Sequence, residues 1–368
     1  MENDKQESPF GPLHGLKVVE FSSLGPGPFA CMMLSDMGAD VVTVERPGTK
    51  LGDSARIVGR GRTVVIADLK DSDSRKTVLE LLDAADILVE GYRPGVMERL
   101  GLGPTDLHSR NPRLIYGRMT GWGQLGPLAT TAGHDIGYIA LTGALYAIGP
   151  QNGVPTPPLN LVGDYGGGSL YLISGILAAL YERSRSGLGQ VIDAAITDGV
   201  NSMMTHFHAS ALRGQFTTSR GENMLDGGAP YYAVYETLDH KYVAVGAIEP
   251  AFFSELCRLI GLNGSWCEAQ NDRSRWSELR EILAQTFAKK TRADWQKLLE
   301  NTDACTAPVL TLHEAVDHSH HVARASFDVV DGVRQPAPAP RFSRSITRIR
   351  RGVPKEASSI EDVIRRWA

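Results

Sequence analysis

Short apolar runs alternating with helical periodicity organise the first part of the chain. Residues 16–22 (L-K-V-V-E-F-S) make a β-rich run, Gly25-Pro-Gly27-Pro breaks it, and residues 29–37 continue with helical spacing. Residues 41–44 read as the next strand and end in Glu45-Arg46-Pro47, completing a βαβ unit. The alternation goes on through a strand at 63–69, a helix at 74–84, a strand at 87–90, a short helix at 96–100 and a strand at 113–120. This pattern predicts the α/β class with a mainly parallel sheet and with ligands at the carboxyl ends of its strands.

Further along, residues 136–149 read as an apolar helix followed by a Pro-rich loop at 153–158. A helix at 169–184, a turn at 187–189, a strand at 190–196 and a helix at 198–212 come next, and residues 214–228 lack periodicity and read as a linker. Alternating runs at 231–236 and 242–247 predict a hairpin, with helices at 251–260, 275–288 and 292–299 behind it. The expected organisation is a large Rossmann-like domain over 10–213, a linker over 214–229, a smaller α+β domain over 230–305, and a C-terminal segment over 306–368 that returns to the large domain. Its alternating Pro and Ala at 335–340 mark an extended stretch.

Composition narrows the partners. A chain of 368 residues, 42% hydrophobic and with a formal charge of −4, has no general pull toward nucleic acid or an anionic membrane, so any phosphate site must be a local basic cluster. The four cysteines, Cys31, Cys257, Cys267 and Cys305, form no C-x-x-C pair and point to free thiols in a reducing compartment. The polar start at residues 1–10 has no apolar leader, and no uncharged run is long enough to span a bilayer. The expectation is a soluble intracellular, cytoplasmic protein.

The chemistry concentrates in A-G-H-D-I-G-Y and P-P-L-N-L-V-G-D-Y-G-G-G. His134 sits in a Gly-bounded turn and has a reference pKa near operating pH, so it can take and return a proton. Asp164 is placed at a helix entrance, where Leu161, Val162 and Tyr165 can desolvate it and the Asn160 amide can tune it. The N–H groups of residues 166–168 are the expected donors for an oxyanion. Glu249, at the exit of the hairpin, is placed to orient His134; a structural histidine, a helix-terminal carboxylate and a rim salt bridge are the ordinary alternatives for the three. Arg46, Lys70 and Arg93 all fall just past strand ends and can converge on a phosphorylated ligand. Gly25-x-Gly27-x-x-Ala30 with Glu45 also fits a loose dinucleotide fingerprint, although prolines beside the glycines and an arginine after the acid argue against nicotinamide. His318, His320 and His321 lack the spacing of a metal site, so no metal is expected. Met119, Met203, Met204 and Met224 fit either core filling or an adaptable apolar surface.

Together, G-P-G-P-F-A, D-M-G-A-D-V-V, A-D-L-K, E-G-Y-R-P-G-V-x-E-R-L-G-L-G, M-T-G-W-G-Q, the two motifs above, D-G-G-A-P-Y-Y, V-G-A-I-E-P and T-D-A-C-x-x-P-V-L resemble the racemase branch of the class III CoA-transferase family, from residue 11 to about 341. The resemblance implies a Rossmann-like large domain with a small domain, an interlocked homodimer, and a racemase that acts on 2-methylacyl-CoA thioesters without a cofactor beyond the CoA of its substrate. It implies that His134 and Asp164 are the two acid/base groups, with Glu249 and Asn160 in support. It implies CoA-thioester contacts at Arg46, at Ala67, Asp68, Leu69 and Lys70, at Gly91, Tyr92 and Arg93, at Arg99, and at Gly133, Asp135, Ile136, Gly137 and Tyr138. The chain departs from the pattern at Gly137, where Asn is usual, and at Tyr165, where Phe is common.

Two bases of different type on Gly-rich turns suit removal of an α-proton from one face of a thioester and its return to the other, through an enolate. The enzymatic alternative is CoA transfer with Asp164 as nucleophile, against which the resemblance sets His134, since the family's transferases usually carry an aromatic residue there. A CoA-binding protein without catalysis and a nicotinamide oxidoreductase are the readings from other classes.

Overall fold

The apolar runs become six strands: β1 (Lys17–Phe21), β2 (Asp40–Glu45), β3 (Thr63–Ile66), β4 (Ile87–Glu90), β5 (Ile115–Thr120) and β6 (Val191–Ala195). The computed structural model describes residues 10–368; the polar start, on which the expected lack of a leader rested, is outside the described residues apart from Phe10. The six strands form one sheet in the order β3-β2-β1-β4-β5-β6, and every pair is parallel. A parallel sheet is covered on both faces, which is why its central strands read as unbroken apolar runs instead of alternating ones. Val18, Val19, Phe21, Val41, Val42, Ile87 and Leu88 are fully buried. Strand β6, at the edge, starts exposed at Val191 and ends buried at Ala195.

Helices α1 (Pro26–Asp36) and α2 (Ser72–Asp83) make the first crossovers. Pro26 begins α1, where a missing N–H costs nothing, and the Asp71 carboxylate caps α2 by accepting from the Ser74 N–H at 2.7 Å. The expected return of the C-terminal segment is seen at two places. The hairpin β10 (Phe327–Val330) and β11 (Val333–Pro336) brings Gln335 to Arg60, whose guanidinium donates to it at 3.0 Å while pairing with buried Asp36. The last helix (Ile360–Trp367) packs Ile360, Val363 and Trp367 into the cluster under the sheet that includes Leu81 and Leu82 of α2.

The chain divides into two units. One holds the chain up to Thr142, Leu159–Met204 and Val322–Ala368; the other holds Gly143–Pro158 and Thr205–His321. The second unit contains the expected hairpin, β7 (Tyr232–Glu236) with β8 (Tyr242–Gly246), and a third strand, β9 (Thr306–Val309), antiparallel to β8. Its core gathers Tyr235, Val243, Phe253, Leu256, Leu283 and Phe287.

These boundaries differ from the expected ones for identifiable reasons. Residues 306–321 stay with the second unit because β9 pairs there. The single helix expected over 136–149 is two, Asp135–Leu141 and Ala144–Ala147, since Gly143 between them takes a left-handed φ of 80°. Residues 143–158 join the second unit, where Arg220 donates to the carbonyls of Tyr146 and Gly153 at 2.8 and 2.7 Å. The helix expected over 198–212 is likewise split, into Ile196–Met203 and Thr205–Leu212. The presumed linker holds a π-helical turn (Met224–Gly228), which Asn223 and Asp226 close with a capping box.

Candidate active site

Strand order reverses direction between β1 and β4, and open α/β sheets bind ligands beyond the carboxyl ends of the strands at that point. Residues 22–27 leave β1 there and residues 91–93 leave β4. Gly25, the cap of α1, has a φ of 73°, and a Cβ on it would lie 2.8 Å from the Asp164 Oδ2. The glycine that a dinucleotide fingerprint would use for pyrophosphate is here the neighbour of the candidate base.

Asp164 does not precede a helix. It lies within a π-helical segment (Leu161–Ser169) that runs straight into the long helix (Leu170–Ser186). The π-helix widens the turn to i→i+5 bonding, a local geometry frequent at functional sites. The N–H groups of Gly166, Gly167 and Gly168 are spent inside that segment, so the oxyanion donors expected there are not available. Those glycines serve packing instead. A Cβ at Gly167 would meet Val200 Cγ2 at 2.5 Å, and one at Gly199 would fall 1.9 Å from the Gly167 carbonyl oxygen. The helix Ile196–Met203 thus lies backbone to backbone against the π-helix. Among the methionines, Met119 is buried beneath Gly168 as core, whereas Met203 touches Gly166 and is 38% exposed.

The Asp164 carboxylate is half-buried, and burial pushes its pKa up. The Asn160 amide opposes this by donating to Oδ2 at 3.4 Å, the charge of Asp135 pushes up further, and His134 pulls down. Phe29 of α1 stacks on Tyr165 with ring centroids 4.1 Å apart, and the buried Ser169 hydroxyl lies 2.7 Å from the Pro26 carbonyl and 3.0 Å from that of Asp164. Helix α1 and the π-helix are thereby tied together around the carboxylate.

His134 caps the helix Asp135–Leu141 in extended backbone, its carbonyl accepting from the N–H groups of Gly137 at 2.8 Å and Tyr138 at 3.2 Å. Its imidazole is exposed, makes no hydrogen bond or ion pair among the described residues, and lies close enough to Asp164 for its charge to be felt there. The two candidate bases therefore lie within electrostatic reach of each other, with no ion pair between them. Tyr138 braces the turn. Its hydroxyl donates to the Gly133 carbonyl, its ring meets Trp122 edge-on with centroids 4.7 Å apart, and a Cβ at Gly121 would overlap that ring at 2.0 Å. Gly121 and Trp122 were no part of the expected site, although M-T-G-W-G-Q was the available signal. Gly137 behaves differently: a Cβ there meets nothing within 4 Å and φ is not left-handed. Gly137→Ala is expected to stabilise the chain by about 0.5–1 kcal/mol, by restricting the unfolded state, as read from urea unfolding.

The expected CoA contacts divide. Arg46, Lys70, Arg93 and Arg99 are exposed beyond β2, β3 and β4, with no side-chain partner among the described residues. Arg46 lies near enough to Tyr92, and Arg93 to Tyr138, for each charge to lower the phenol pKa that burial raises. Ala67 and Leu69 turn into the core, and Asp68 spends its carboxylate on the Lys70 N–H at 3.0 Å. The turn at Gly91 is held from beneath, where buried Glu90 accepts from the Tyr92 N–H at 2.7 Å and from Arg118 at 3.0 Å. Ile136 is 50% exposed beside His134. Asp135, expected at the thioester, directs its carboxylate inward, accepting from the Asp164 N–H at 2.6 Å. Glu249 is in the second unit, exposed at the start of the helix Pro250–Ile260, with its charge felt by Cys305. Among the described residues no three His, Cys, Asp or Glu side chains gather as metal ligands would, and no helix is long and apolar enough to cross a membrane.

The profile of CoA-transferase family III matches residues 13–357. The chain belongs to that family. It is 44% identical to the α-methylacyl-CoA racemase of Mus musculus over 335 residues, which are 90% of this chain and 87% of the racemase. With the α-methylacyl-CoA racemase of Homo sapiens it shares 44% identity over 86% of this chain and 82% of that one. A CaiB/BaiF family protein from Brucella suis has the same fold, with a TM-score of 0.83 at 25% identity, covering 97% of this chain and 99% of the other. The family expected from the motifs and the Rossmann-like α/β fold are both met in this member of family III.

Proposed function

We propose that this family III protein is an isomerase that interconverts (2R)- and (2S)-2-methylacyl-CoA thioesters. The observation that supports the reading is an imidazole with no partner among the described residues, within electrostatic reach of a half-buried carboxylate that lies beside Gly25 at the exit of β1. His134 and Asp164 serve as the two bases, one removing the α-proton and the other reprotonating the opposite face of the planar enolate. Raising the pKa of Asp164 brings its proton affinity closer to the working range, and Asn160 limits that rise. Donors for the enolate oxygen come from the N–H groups of Asp135 and Ile136, which have no acceptor among the described residues. Each such donor contributes about 3 kcal/mol when aimed at the developing charge. Arg46, Lys70, Arg93 and Arg99 take the phosphates of CoA.

The reaction needs no cofactor beyond the CoA of the substrate, because the thioester itself delocalises the carbanion. We also infer a homodimer. The long helix leaves Leu170, Tyr171, Leu177 and Tyr181 exposed, 38–68% each, and an exposed His134 needs cover from water that a second copy would give. Free thiols at Cys31, Cys257, Cys267 and Cys305 support an intracellular location.

The test is proton exchange. Either epimer of a 2-methylacyl-CoA incubated in heavy water is expected to acquire deuterium at Cα while approaching one equilibrium mixture. Epimerisation without label sinks the two-base scheme, and a covalent CoA adduct trapped on Asp164 with acceptor acid present replaces it with CoA transfer.

A further inference from the structure

We propose that Asp135 is a positioning residue that holds the second base opposite the first, its backbone carrying the neighbouring imidazole while its carboxylate grips the start of the π-helix that bears Asp164. The proposal rests on the two-base reading. Asn160, the residue at the cap position of that π-helix, makes no capping hydrogen bond with its side chain. The first N–H groups of a helix need acceptors, and here the acceptor comes from 29 residues away in sequence: Asp135 Oδ1 receives the Asp164 N–H at 2.6 Å, and the Gly163 N–H also donates to the carboxylate. This side chain therefore ties together two segments that are far apart in sequence, beside the packing of Ile139 on Gly163. Movement of the His134 backbone away from the Asp164 backbone strains this bond.

Asp135 also acts through its charge. It is half-buried, with burial pushing its own pKa up against the two N–H groups, and its negative charge adds to the upward push on Asp164. Removing that charge while keeping an acceptor oxygen separates the two effects. Asp135→Asn retains the grip in geometry and loses the electrostatics; Asp135→Ala loses both.

Wash-in of deuterium is measured separately from each epimer, on wild type, Asp135→Asn, Asp135→Ala and His134→Ala. The epimer that His134→Ala still exchanges identifies the Asp164 side. In Asp135→Ala, wash-in from that epimer is expected to fall about tenfold to a hundredfold, as for a base displaced by about 1 Å, with a smaller loss from the other epimer and KM little changed. In Asp135→Asn most of that loss is restored, and the acidic limb of kcat/KM for the Asp164 side moves to lower pH, because a carboxylate without its negative neighbour ionises more readily. Equal loss from both epimers, or an Asn variant whose acidic limb stays in place, overturns the assignment. Should Asp135→Ala fail to fold, the Asn pH profile alone decides. Wild type labelling both epimers upholds the two-base reading independently of the variants, and wild type labelling neither removes that reading and this proposal with it.

Discussion

Asp164→Asn leaves only the exchange that His134 can catalyse, and His134→Ala leaves only that of Asp164. With two bases on opposite faces, each single variant retains proton loss from one epimer and forfeits it from the other, so epimerisation falls about 10²–10⁴-fold while one-sided wash-in of label survives. A one-base site would lose exchange from both epimers together. The fold is expected to survive Asp164→Asn. Burial raises the Asp164 pKa above its unfolded value, so the stability it contributes is present below the unfolded pKa and is lost as pH rises through the folded one. The ionised carboxylate is therefore a cost at neutral pH. An asparagine there can still accept from Asn160, so thermal unfolding at pH 7 is expected at or above the wild-type temperature, with the gap closing in acid. Full epimerase activity in either variant discards the assignment of roles.

Gly199→Ala is expected to destabilise the chain by about 3 kcal/mol or more, at or above the top of the usual range for overpacking. The added methyl would sit 1.9 Å from the Gly167 carbonyl oxygen and 2.7 Å from its carbon. Both neighbours are backbone, so no flexible side chain can swing away, and the helix Ile196–Met203 has to separate from the π-helix. That separation also moves Asp164, so the midpoint of urea unfolding and kcat are expected to fall together. Gly137→Ala is the control, since an identical change at an open position costs nothing in space. An unshifted midpoint in Gly199→Ala would show that the π-helix is not held by this contact.

The glycine triplet shows where local reading stops. In sequence, Gly166 to Gly168 beside an acid look like a bare turn offering N–H groups; in the fold they are a π-helix pressed against another backbone, and their N–H groups are occupied. Nothing along the chain distinguishes a glycine needed for a turn from one needed for a close approach, because the approaching residue is Gly199, more than thirty positions away. Gly143 could be judged from its own backbone conformation only once that was seen, and the helix expected across it is broken there. Residues 214–228 lack apolar periodicity because side-chain hydrogen bonds from Asn223 and Asp226 hold them, together with Arg280 donating to the Gly227 and Gly228 carbonyls.

The strands, the crossover helices and the two candidate proton carriers are written in the chain itself, because burial on both faces of a parallel sheet demands unbroken apolar runs and proton transfer demands particular side chains. Their meeting is not. The turn bearing His134 comes to the segment bearing Asp164 because strand order opens a crevice between β1 and β4, Gly25 lets α1 approach the carboxylate, and Asp135 reaches across to the Asp164 backbone. Such contacts join turns far apart in sequence, and only the packed chain brings them within hydrogen-bonding distance.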